Sequence, residues 1–414
     1  MNSLVRKVPY KIFHLAKYYP PMPGGIETHV QSLARAQAIL GAEVSVLCVN
    51  GLVKKKYPSL RTKTLYEQDN NVSVTSLGRI GSFARLDICP EILEKLKQAI
   101  NEADTLIHLH TPNPTMLIAW LIAKGIVGRT RHSQKSLVIT HHSDIIKQRF
   151  LKYALRPIEY LVYRQASCIL TDSPKYIQGS KFLQAFKNKT KALPLGLDCS
   201  KYIQPTQAAL SYSRSLQDTY RAPIWLIVGR LVYYKAIHVA IEALALVPGT
   251  LIVIGTGPLE KELKSQAKKL GLSERILWHG HASADELTGA YYAATALWFP
   301  SNVRSEGFGL VQVEAMACGC PVINADIPCS GVPWVSRHEQ EGLTVPINDP
   351  VALGQAAKRL LDEPNLRNRL AMASRIRASQ EFDHIIMAQR SFEMYEQALE
   401  RSALKGQPRV LQVR

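Results

Sequence analysis

The sequence predicts an α/β protein built of two similar domains in tandem. Short apolar segments alternate with helical patterns along both halves of the chain, which is typical of β-α-β units with parallel strands. The 414 residues correspond to two or three domains of about 150 residues. An apolar fraction of 46% and a charged fraction of 20% are those of a globular protein. Gly196–Pro223, rich in Ser, Gln and Tyr and weakly periodic, is predicted to be an interdomain connection.

The first half is predicted to contain five strands separated by helices. The strands are Lys11–Leu15, Glu43–Val49, Thr105–Leu109, Leu137–Thr140 and Cys168–Thr171. The main helical patterns are Thr28–Leu40, Glu91–Glu102, Thr115–Lys124 and Arg156–Gln165.

The second half repeats this alternation. The predicted strands are Trp225–Val228, Thr250–Ile254, Ile276–His279, Ala296–Phe299 and Pro321–Asn324. The predicted helices are Ala236–Leu246, Leu259–Leu270, Asp285–Ala293 and Leu310–Ala317. The last 30 or so residues also have a helical pattern, with one side formed by Phe392, Met394, Tyr395 and Leu399.

Composition argues against several classes of protein. The longest apolar candidate for a spanning helix, Met116–Ala123, is followed at once by Lys124 and is far shorter than a bilayer requires. The first 20 residues lack the apolar core of a secretory signal. The seven cysteines are scattered without a C-x-x-C pair, which favours buried thiols in a reducing compartment. We therefore expect a soluble, cytoplasmic protein.

The net charge of +18 is concentrated in the first half of the chain. Residues 1–200 carry 28 basic and 13 acidic side chains, whereas residues 201–414 carry 23 and 20. A basic first half predicts an anionic partner, and both anionic lipid and nucleic acid satisfy that requirement.

The strongest motif of the second half extends from Arg304 to Ile323. It places Glu306 and Glu314 eight residues apart with Gly307 and Gly309 between them, where a loop is predicted to enter a helix. Glycines allow a ligand to approach the backbone closely, and the free N–H groups of a first helical turn favour an anion. Two carboxylates could accept hydrogen bonds from sugar hydroxyls, although an acidic residue near a helix start is also stabilising by itself.

Two further motifs follow predicted strands. In Gly229-Arg-Leu-Val-Tyr-Tyr-Lys235, two cations could neutralise a diphosphate, or could simply lie on the surface. Ile254-Gly-Thr-Gly-Pro258 is a glycine-rich turn of low specificity. Because the chain has no D-x-D motif for a divalent metal, Arg230 and Lys235 become the stronger candidates for charge partners.

Together these motifs resemble the retaining glycosyltransferases of family 4, which have the GT-B fold. The family's E-x7-E element is matched by Glu306 and Glu314, and its G-R-L-x-x-x-K element by Gly229, Arg230, Leu231 and Lys235. Ser330–Val335 is similar to the family's next loop. The chain departs from the family pattern at Ala236, where Gly is usual, and at Gly307, where Ala is frequent.

This resemblance implies two Rossmann-like domains facing across a cleft. An acceptor-side domain would cover residues 1–204, a donor-binding domain residues 205–385, and a C-terminal helix at 386–414 would pack back on the first domain. Arg230 and Lys235 would bind the diphosphate of a nucleotide sugar, and Glu314 the ribose hydroxyls. Glu306 would contact the donor sugar, and Phe308, Gly309 and Leu310 would offer backbone amides. No cofactor and no divalent metal are expected.

The first half contributes three candidate loops at strand or helix ends. Gly24 and Gly25 open a predicted helix, and the resemblance assigns Gly25 to the donor diphosphate. Thr140-His-His-Ser-Asp144 follows a strand, and by the same resemblance His142 is the functional histidine rather than His141. Asp144 and His110 are candidates for acceptor or sugar contacts. A histidine in such a position is otherwise often structural.

Basic residues interleaved with aromatic ones form two further clusters. They are Lys54–Lys56 with Arg61 and Lys63, and Lys147, Arg149, Lys152 and Arg156, with Tyr57, Tyr66, Phe150 and Tyr153 between them. These clusters are either solvated loops and helix faces or an attachment to the anionic inner leaflet of the plasma membrane, and we favour the second interpretation.

The sequence thus predicts a metal-independent retaining hexosyltransferase. Its resemblance to enzymes of polysaccharide assembly implies a lipid-linked saccharide or polysaccharide acceptor, with GDP-mannose as a candidate donor. A sugar-nucleotide 2-epimerase of the same fold is the alternative. A non-catalytic nucleic-acid-binding protein is disfavoured because the chain has no RRM, KH or zinc pattern.

Overall fold

The computed structural model describes residues 11–22, 24–52, 61–83, 86–102, 105–127, 137–143, 149–220 and 223–406. These residues form two compact units. One comprises the described residues up to Gly196 together with those from His384 onward, and the other comprises Leu197–Asp383. The sequence had suggested boundaries at 204/205 and 385/386.

The first unit is organised around an eight-stranded sheet. The ten strands of the unit are β1 Lys11–Leu15, β2 Glu43–Val49, β3 Leu65–Asp69, β4 Val72–Leu77, β5 Gly81–Phe83, β6 Leu86–Ile88, β7 Thr105–Thr111, β8 Leu137–His141, β9 Cys168–Thr171 and β10 Thr190–Ala192. The large sheet has the order β10-β9-β8-β7-β1-β2-β4-β3, and β5 pairs with β6 separately. Only the edge strand β3 is antiparallel to its neighbour in the large sheet.

Helices cover both faces of this sheet. They are α1 Gly25–Ile39, α2 Ile92–Asn101, α3 Pro114–Val127, α4 Arg149–Gln165, α5 Pro174–Gly179 and α6 Lys181–Gln184. Side chains of α2, α3 and α4 pack with Leu15, Leu109 and Ile139 on one face. Helix α1 packs on the other face, with Ile12 and Leu106. Alternate residues of each buried strand therefore enter different cores.

The second unit has a six-stranded, fully parallel sheet. Its strands are β11 Ile224–Val228, β12 Thr250–Ile254, β13 Ile276–Gly280, β14 Ala296–Phe299, β15 Val322–Ala325 and β16 Gly342–Val345, in the order β13-β12-β11-β14-β15-β16. Its helices are α7 Ser200–Ile203, α8 Gln207–Tyr220, α9 Ile237–Leu244, α10 Glu260–Lys269, α11 Ala284–Ala293, α12 Leu310–Cys318, α13 Val332–Val335, α14 Pro350–Asp362 and α15 Pro364–Glu381. This strand order is that of a Rossmann sheet, which confirms the predicted fold class.

The last helix, α16 His384–Gly406, belongs to the first unit and packs against α1. Tyr395 and Phe392 are buried there, as their shared helical face predicted, whereas Leu399 is exposed. Polar side chains of α1 and α16 also meet, since the Gln37 amide donates hydrogen bonds to Ser391 and Tyr395.

One prediction about the connecting segment is wrong. Gly196–Pro223 contains α7 and α8, and α8 packs closely on α11 in the second unit. A Cβ atom on Gly289 would lie 2.5 Å from the carbonyl oxygen of Ala209. The buried positions of α8 are Ala209, Ser213 and Leu216, which have helical spacing. Two of them are small or polar, so the apolar periodicity is hidden.

The described residues contain no helix that is both long and apolar enough to cross a bilayer. All seven cysteines are free, and six of them are buried, whereas Cys329 is exposed. This pattern agrees with the interpretation of the thiols as small hydrophobic residues.

Candidate functional site

The candidate residues of the second unit meet where the strand order reverses. Chain order runs outward from β11 through β12 to β13, and then crosses to β14 on the other side of β11. Ligands of such sheets bind beyond the carboxyl ends of the strands at this switch point. Gly229 and Arg230 directly follow β11, and the loop that follows β14 carries Glu306 and Gly309.

Lys235 and Glu306 form an ion pair at this edge. Lys235 Nζ lies 2.7 Å from Glu306 Oε2, and the two side chains are only 14% and 13% exposed. The ammonium group also lies 4.6 Å from the centre of the Phe299 ring, at cation–π distance. Arg230 is exposed. The site therefore has one cation already held by a carboxylate and a second cation open to solvent.

The loop after Glu306 is shaped to expose its backbone. Gly309 has φ +76°, and a Cβ atom there would lie 2.6 Å from Phe299 Cζ, so the position requires glycine. Helix α12 begins at Leu310, and its first N–H groups have no partner within the helix. The Phe308 side chain is buried against Phe382 and Trp334. Phe308 can therefore offer a ligand only its backbone.

The loop that contains Ser330 and Gly331 is hydrogen-bonded to the backbone at Glu306. Ser330 Oγ donates a 2.5 Å hydrogen bond to the carbonyl oxygen of Glu306, and the Gly331 N–H donates one of 2.8 Å to that of Gly307. Ser330 is fully buried. The loop at Ser330, which resembles a loop of the family in sequence, thus has a structural role, since it fixes the backbone of Glu306 and Gly307.

Glu314 lies one turn inside α12 and is partly buried. The Tyr291 hydroxyl donates a 2.7 Å hydrogen bond to its Oε2. Burial raises the pKa of Glu314, while hydrogen bonds from Tyr291 and Tyr202 and the charge of Lys235 act in the opposite direction. Tyr291 belongs to no recognisable sequence motif and was missed by sequence reasoning.

The third glycine motif supports the first two. Gly255 has φ +132°, and a Cβ atom on it would lie 2.0 Å from the carbonyl oxygen of Gly229. A Cβ atom on Gly257 would lie 2.4 Å from that of Leu231. These glycines let the β12 turn pack directly against the Gly229–Leu231 turn, which accounts for them without a ligand.

The first unit has its own switch point, between β1 and β7. Gly25 is the first residue of α1, in the loop that leaves β1. A Cβ atom on Gly25 would meet nothing within 4 Å, so packing does not require glycine at this position. Burial raises the pKa of the nearby Glu27 carboxyl. Asp144 lies outside the described residues.

His110 and His142 lie together at this edge, in a cluster of buried histidines. His110 is in β7 and His142 directly follows β8, and His110 Nδ1 lies 3.2 Å from His142 Nε2. The cluster also contains His14 of β1, His108 of β7 and His29 of α1. All five are buried, and the loss of water lowers the pKa values of His14, His29, His108, His110 and His142.

His141, by contrast, faces the other core. Its Nδ1 lies 2.7 Å from the Tyr163 hydroxyl, and its ring packs beside those of Tyr176 and Phe182. The structure therefore gives His141 a packing role and separates it from the cluster that contains His142.

Two groups of three histidines have ring nitrogens close enough to share an ion. In His14, His108 and His110, and in His29, His110 and His142, one nitrogen of each residue lies within 4.8 Å of the others. Hydrogen bonds compete with any ion, because His14, His108, His110 and His142 have partners among one another, Thr140, Tyr395 and Gln37. Both ring nitrogens of His29, by contrast, lack a hydrogen-bond partner among the described residues.

The sequence of β7 contains a pattern that indicates this cluster. Leu106, His108 and His110 alternate along β7, and residues two apart on a strand share a face. His14 is the parallel neighbour of His108 in β1. The pattern indicates that histidines replace apolar residues on one face of the sheet.

The basic clusters are only partly described. Lys54–Lys56 and Lys147 lie outside the described residues, as do the side chains of Arg149 and Lys152. Arg156 lies 3.4 Å from the Glu159 carboxylate and stacks 3.9 Å from the Phe182 ring centre, so it is engaged within the unit. Tyr66 is exposed.

Solved structures of glycosyltransferases of the GT-B fold have the same architecture. Sucrose-phosphate synthase from Thermosynechococcus elongatus matches with a TM-score of 0.73 and 22% identity, over 94% of this chain and 99% of that one. The HepE protein of Anabaena in complex with UDP matches with a TM-score of 0.73 and 23% identity, over 93% and 99%. The fold is therefore GT-B.

Two protein families match successive parts of the chain. Residues 23–201 match Glycosyltransferase Family 4, and residues 213–377 match Glycosyl transferases group 1. The chain belongs to the glycosyltransferases that combine these two domains, which confirms the resemblance inferred from the motifs.

Curated relatives are similar over nearly their whole length. O-antigen chain mannosyltransferase C of Escherichia coli is 28% identical over 91% of this chain and 96% of its own. D-rhamnosyltransferase WbpZ of Pseudomonas aeruginosa is 28% identical over 90% and 92%. Phosphatidyl-myo-inositol mannosyltransferase of Mycobacterium leprae is 29% identical over 93% and 96%.

Proposed function

We propose that this glycosyltransferase moves a hexosyl group from a nucleotide sugar to a hydroxyl of a lipid-linked saccharide or polysaccharide, with retention of anomeric configuration. The observation that carries the proposal is the Lys235–Glu306 pair at the switch point of the second sheet, beside the start of α12. A cation, a carboxylate and free backbone amides are the groups that a sugar diphosphate requires.

In this proposal the second unit binds the donor. Arg230 and Lys235 neutralise the diphosphate, and the amides of Phe308, Gly309 and Leu310 bind its oxygens or the sugar. Glu314, whose carboxylate accepts hydrogen bonds from Tyr291 and Tyr202, also accepts them from the ribose hydroxyls through its remaining lone pairs. Negative charge grows on the diphosphate as the glycosidic bond breaks, so cations already in position stabilise the transition state.

Glu306 and His142 are the proposed catalytic residues. Glu306 accepts hydrogen bonds from the donor sugar once the diphosphate competes for Lys235. His142 contacts a sugar hydroxyl in the transfer step, and His110 supports it. Gly25 is proposed to give a backbone contact to the diphosphate. Orientation of the sugar so that the acceptor meets the anomeric carbon on the face of the leaving group gives retention.

We propose that no divalent metal takes part in this reaction. The support is that Arg230 and Lys235 supply positive charge where other transferases need a metal and a D-x-D motif, which this sequence lacks. Full activity after dialysis against EDTA is expected. Loss of activity that added Mg²⁺ or Mn²⁺ restores would overturn this part of the proposal.

The proposed sugar has the manno configuration. The relatives include enzymes named for transfer of mannose and of D-rhamnose, which is 6-deoxy-D-mannose. GDP-mannose is the donor we propose to test first. Two of these relatives are named for O-antigen chains or a phosphatidylinositol, which supports a saccharide or lipid-linked acceptor.

We further propose that the enzyme works at the cytoplasmic surface of the plasma membrane, with no part in nucleic-acid binding. Helix α4 exposes Tyr160 and Leu161 beside the exposed Arg164, a combination that suits an anionic lipid surface. Sedimentation with liposomes is expected to require anionic lipid and to weaken with salt. Binding that ignores both variables would contradict the membrane assignment.

The test of the central proposal is a screen of donor hydrolysis and transfer with UDP-, GDP- and ADP-sugars. Turnover of one donor is expected, with a product whose anomeric configuration, read by proton NMR, matches that of the donor. An inverted product would exclude retention. Failure of every nucleotide sugar to bind in calorimetry would exclude the donor site.

A further inference from the structure

Hydrogen bonds connect the buried histidines of the first unit in a network in which the donor and the acceptor of each bond can be assigned. The assignment begins at Ser391 of α16, whose hydroxyl donates a 2.7 Å hydrogen bond to the carbonyl oxygen of Ala388. A serine hydroxyl has a single proton, so toward Gln37 it can only accept. The Gln37 amide nitrogen, 2.9 Å away, is therefore the donor.

This contact fixes the Gln37 amide. Since its nitrogen faces Ser391, its oxygen faces His14, where Oε1 lies 2.8 Å from Nε2. A carbonyl oxygen only accepts, so His14 must have its proton on Nε2. The pKa of His14 is lowered to about 4 because the ring is buried, and the ring is neutral near pH 7. A neutral ring has one proton, which leaves Nδ1 of His14 as an acceptor.

The same reasoning passes along two more rings. His14 Nδ1 lies 3.0 Å from His110 Nε2, so His110 donates and its proton is on Nε2. His110 Nδ1 is then an acceptor, and His142 Nε2, 3.2 Å away, must donate to it. Burial also lowers the pKa values of His110 and His142 well below that of free histidine. Nδ1 of His142 is left with a lone pair.

A side branch is consistent with this direction. The Tyr395 hydroxyl lies 3.0 Å from the Gln37 amide nitrogen and accepts from it, so its proton points to His108 Nδ1, 2.6 Å away. His108 then donates from Nε2 to Thr140 Oγ1 at 2.7 Å. Every hydrogen bond of the network has one donor and one acceptor in this arrangement.

We infer that Gln37, oriented by Ser391, acts through His14 and His110 to hold His142 in the tautomer with the proton on Nε2 and the lone pair on Nδ1. Gln37 is thus a positioning residue. His142 presents a substrate with an acceptor only, so it selects a hydroxyl that donates and disfavours a phosphate or carbonyl oxygen. Which hydroxyl is bound rests on the proposed function, but the tautomer itself does not.

The tautomer can be read directly in the full chain. In protein labelled with ¹⁵N at histidine, long-range proton–nitrogen correlation spectra distinguish a protonated ring nitrogen from a bare one. The His142 signals are identified as those absent from His142→Asn. At pH 8 we expect His142 to have a bare Nδ1 and a protonated Nε2. Protonation on Nδ1, or an averaged signal from both forms, would overturn the inference.

Gln37→Met tests whether the amide sets the tautomer, because a thioether is a weak acceptor of similar length. We expect this variant to give a mixture of His142 tautomers. Its kcat should fall about fivefold, the value of one net hydrogen bond, with little change in KM. Thr140→Val, which removes the end of the side branch, is the matched control and should leave the His142 tautomer unchanged.

The outcomes separate the two proposals. A wild-type tautomer in Gln37→Met would show that the amide does not position His142, whatever the activity. If no sugar nucleotide reacts but the spectra are as expected, the hydrogen-bond chain stands and the proposed function fails.

Discussion

The ammonium nitrogen of Lys235 lies 2.7 Å from Oε2 of Glu306, at the edge of the sheet where the strand order reverses. Both groups were predicted to contact the donor, one the diphosphate and the other the sugar. Their pairing means that a bound diphosphate must compete with Glu306 for the same cation. Donor binding and release of the Glu306 carboxylate are therefore coupled in the proposed reaction.

This coupling predicts opposite effects of Glu306→Gln on binding and on turnover. Without the carboxylate, Lys235 is free for phosphate, so a nucleoside diphosphate should bind roughly three- to tenfold more tightly, or about 0.6–1.4 kcal/mol. Turnover should fall by roughly a hundredfold or more, because the sugar loses its charged hydrogen-bond partner. Calorimetry and initial rates measure the two effects.

Glu260→Gln is the control for that change. Glu260 lies on α10 of the same unit, where its carboxylate pairs with Lys264 at 2.6 Å, so the same charge is lost without breaking the Lys235–Glu306 pair. Glu260→Gln should leave both the diphosphate affinity and the turnover unchanged. Weaker diphosphate binding by Glu306→Gln would show that Glu306 supports the nucleotide rather than competing with it.

Tyr291→Phe predicts a shift in the pH dependence of nucleotide binding. Burial raises the pKa of Glu314, and the hydrogen bond from the Tyr291 hydroxyl opposes that rise. Without this hydrogen bond the pKa of Glu314 rises further. The carboxylate that binds the ribose is therefore protonated at a higher pH in Tyr291→Phe than in the wild type, and nucleotide binding weakens at that higher pH. At neutral pH the dissociation constant should increase about fivefold.

Calorimetric titrations at a series of pH values measure this shift. Tyr292→Phe is the neighbouring control, since the described partners of its hydroxyl include the carbonyl oxygen of Tyr202 and the Arg375 guanidinium but not Glu314. If Tyr291→Phe changes affinity by the same factor at every pH, the hydroxyl acts on the nucleotide by another route.

Sequence reasoning found most strands of the two large sheets, because most of these strands are parallel and buried, but it did not predict β4, β5, β6, β10 or β16. β1, β2, β9, β12 and β14 have the predicted bounds, since strands covered on both faces are continuous apolar runs. β3 was also missed, because it is a polar edge strand whose residues are largely exposed. Helix α8 was missed because two of its three buried residues, Ala209 and Ser213, are small or polar. Periodicity detects burial of large apolar groups and little else.

The candidate sites divide in the same way. Loop motifs that contain glycine and charged residues could be recognised from the sequence alone, and they lie at the switch points of both sheets. Partners contributed by distant segments could not be predicted, such as Tyr291 for Glu314, or Gln37 and Tyr395 for the histidines. These partners lie 23 to 287 positions apart in the sequence, and a hydrogen bond over such a separation leaves no local pattern.

The buried histidines predict sensitivity to acid. Burial lowers the pKa of His29 to about 3, and both of its ring nitrogens lack a partner among the described residues. The unfolded chain takes up protons below about pH 6.5 while the folded chain does not, so the free energy of unfolding falls as the pH falls. Each such histidine contributes about 1.4 kcal/mol per pH unit.

His29→Leu removes one of these histidines. Between pH 7 and pH 5 it should lose about 2 kcal/mol less stability than the wild type, because the unfolded state takes up one proton fewer below about pH 6.5. Urea unfolding at the two pH values measures the difference. His14, His110 and His142 surround the site, and their contributions remain in both proteins. His238→Leu, an exposed position on α9, is the control. Equal losses in His29→Leu and the wild type would mean that His29 is protonated in the folded protein.

The departure from the family pattern at Ala236 should be nearly neutral. Ala236 has φ 47° and ψ 40°, a left-handed conformation that costs an alanine roughly 1–2 kcal/mol and costs glycine nothing. Ala236→Gly gains that amount. It loses about 0.8 kcal/mol with the buried methyl group and about 0.4–1 kcal/mol from the greater freedom of the unfolded chain.

The opposing effects leave Ala236→Gly within about 1 kcal/mol of the wild type in thermal unfolding. Nucleotide affinity should also be unchanged, because the neighbouring Lys235 is held by Glu306 and by the Phe299 ring rather than by Ala236. Ala236→Val, by contrast, places a branched side chain in the left-handed region at a buried site and should lose about 2 kcal/mol or more. A large stabilisation by glycine would show that the alanine distorts the turn that presents Lys235.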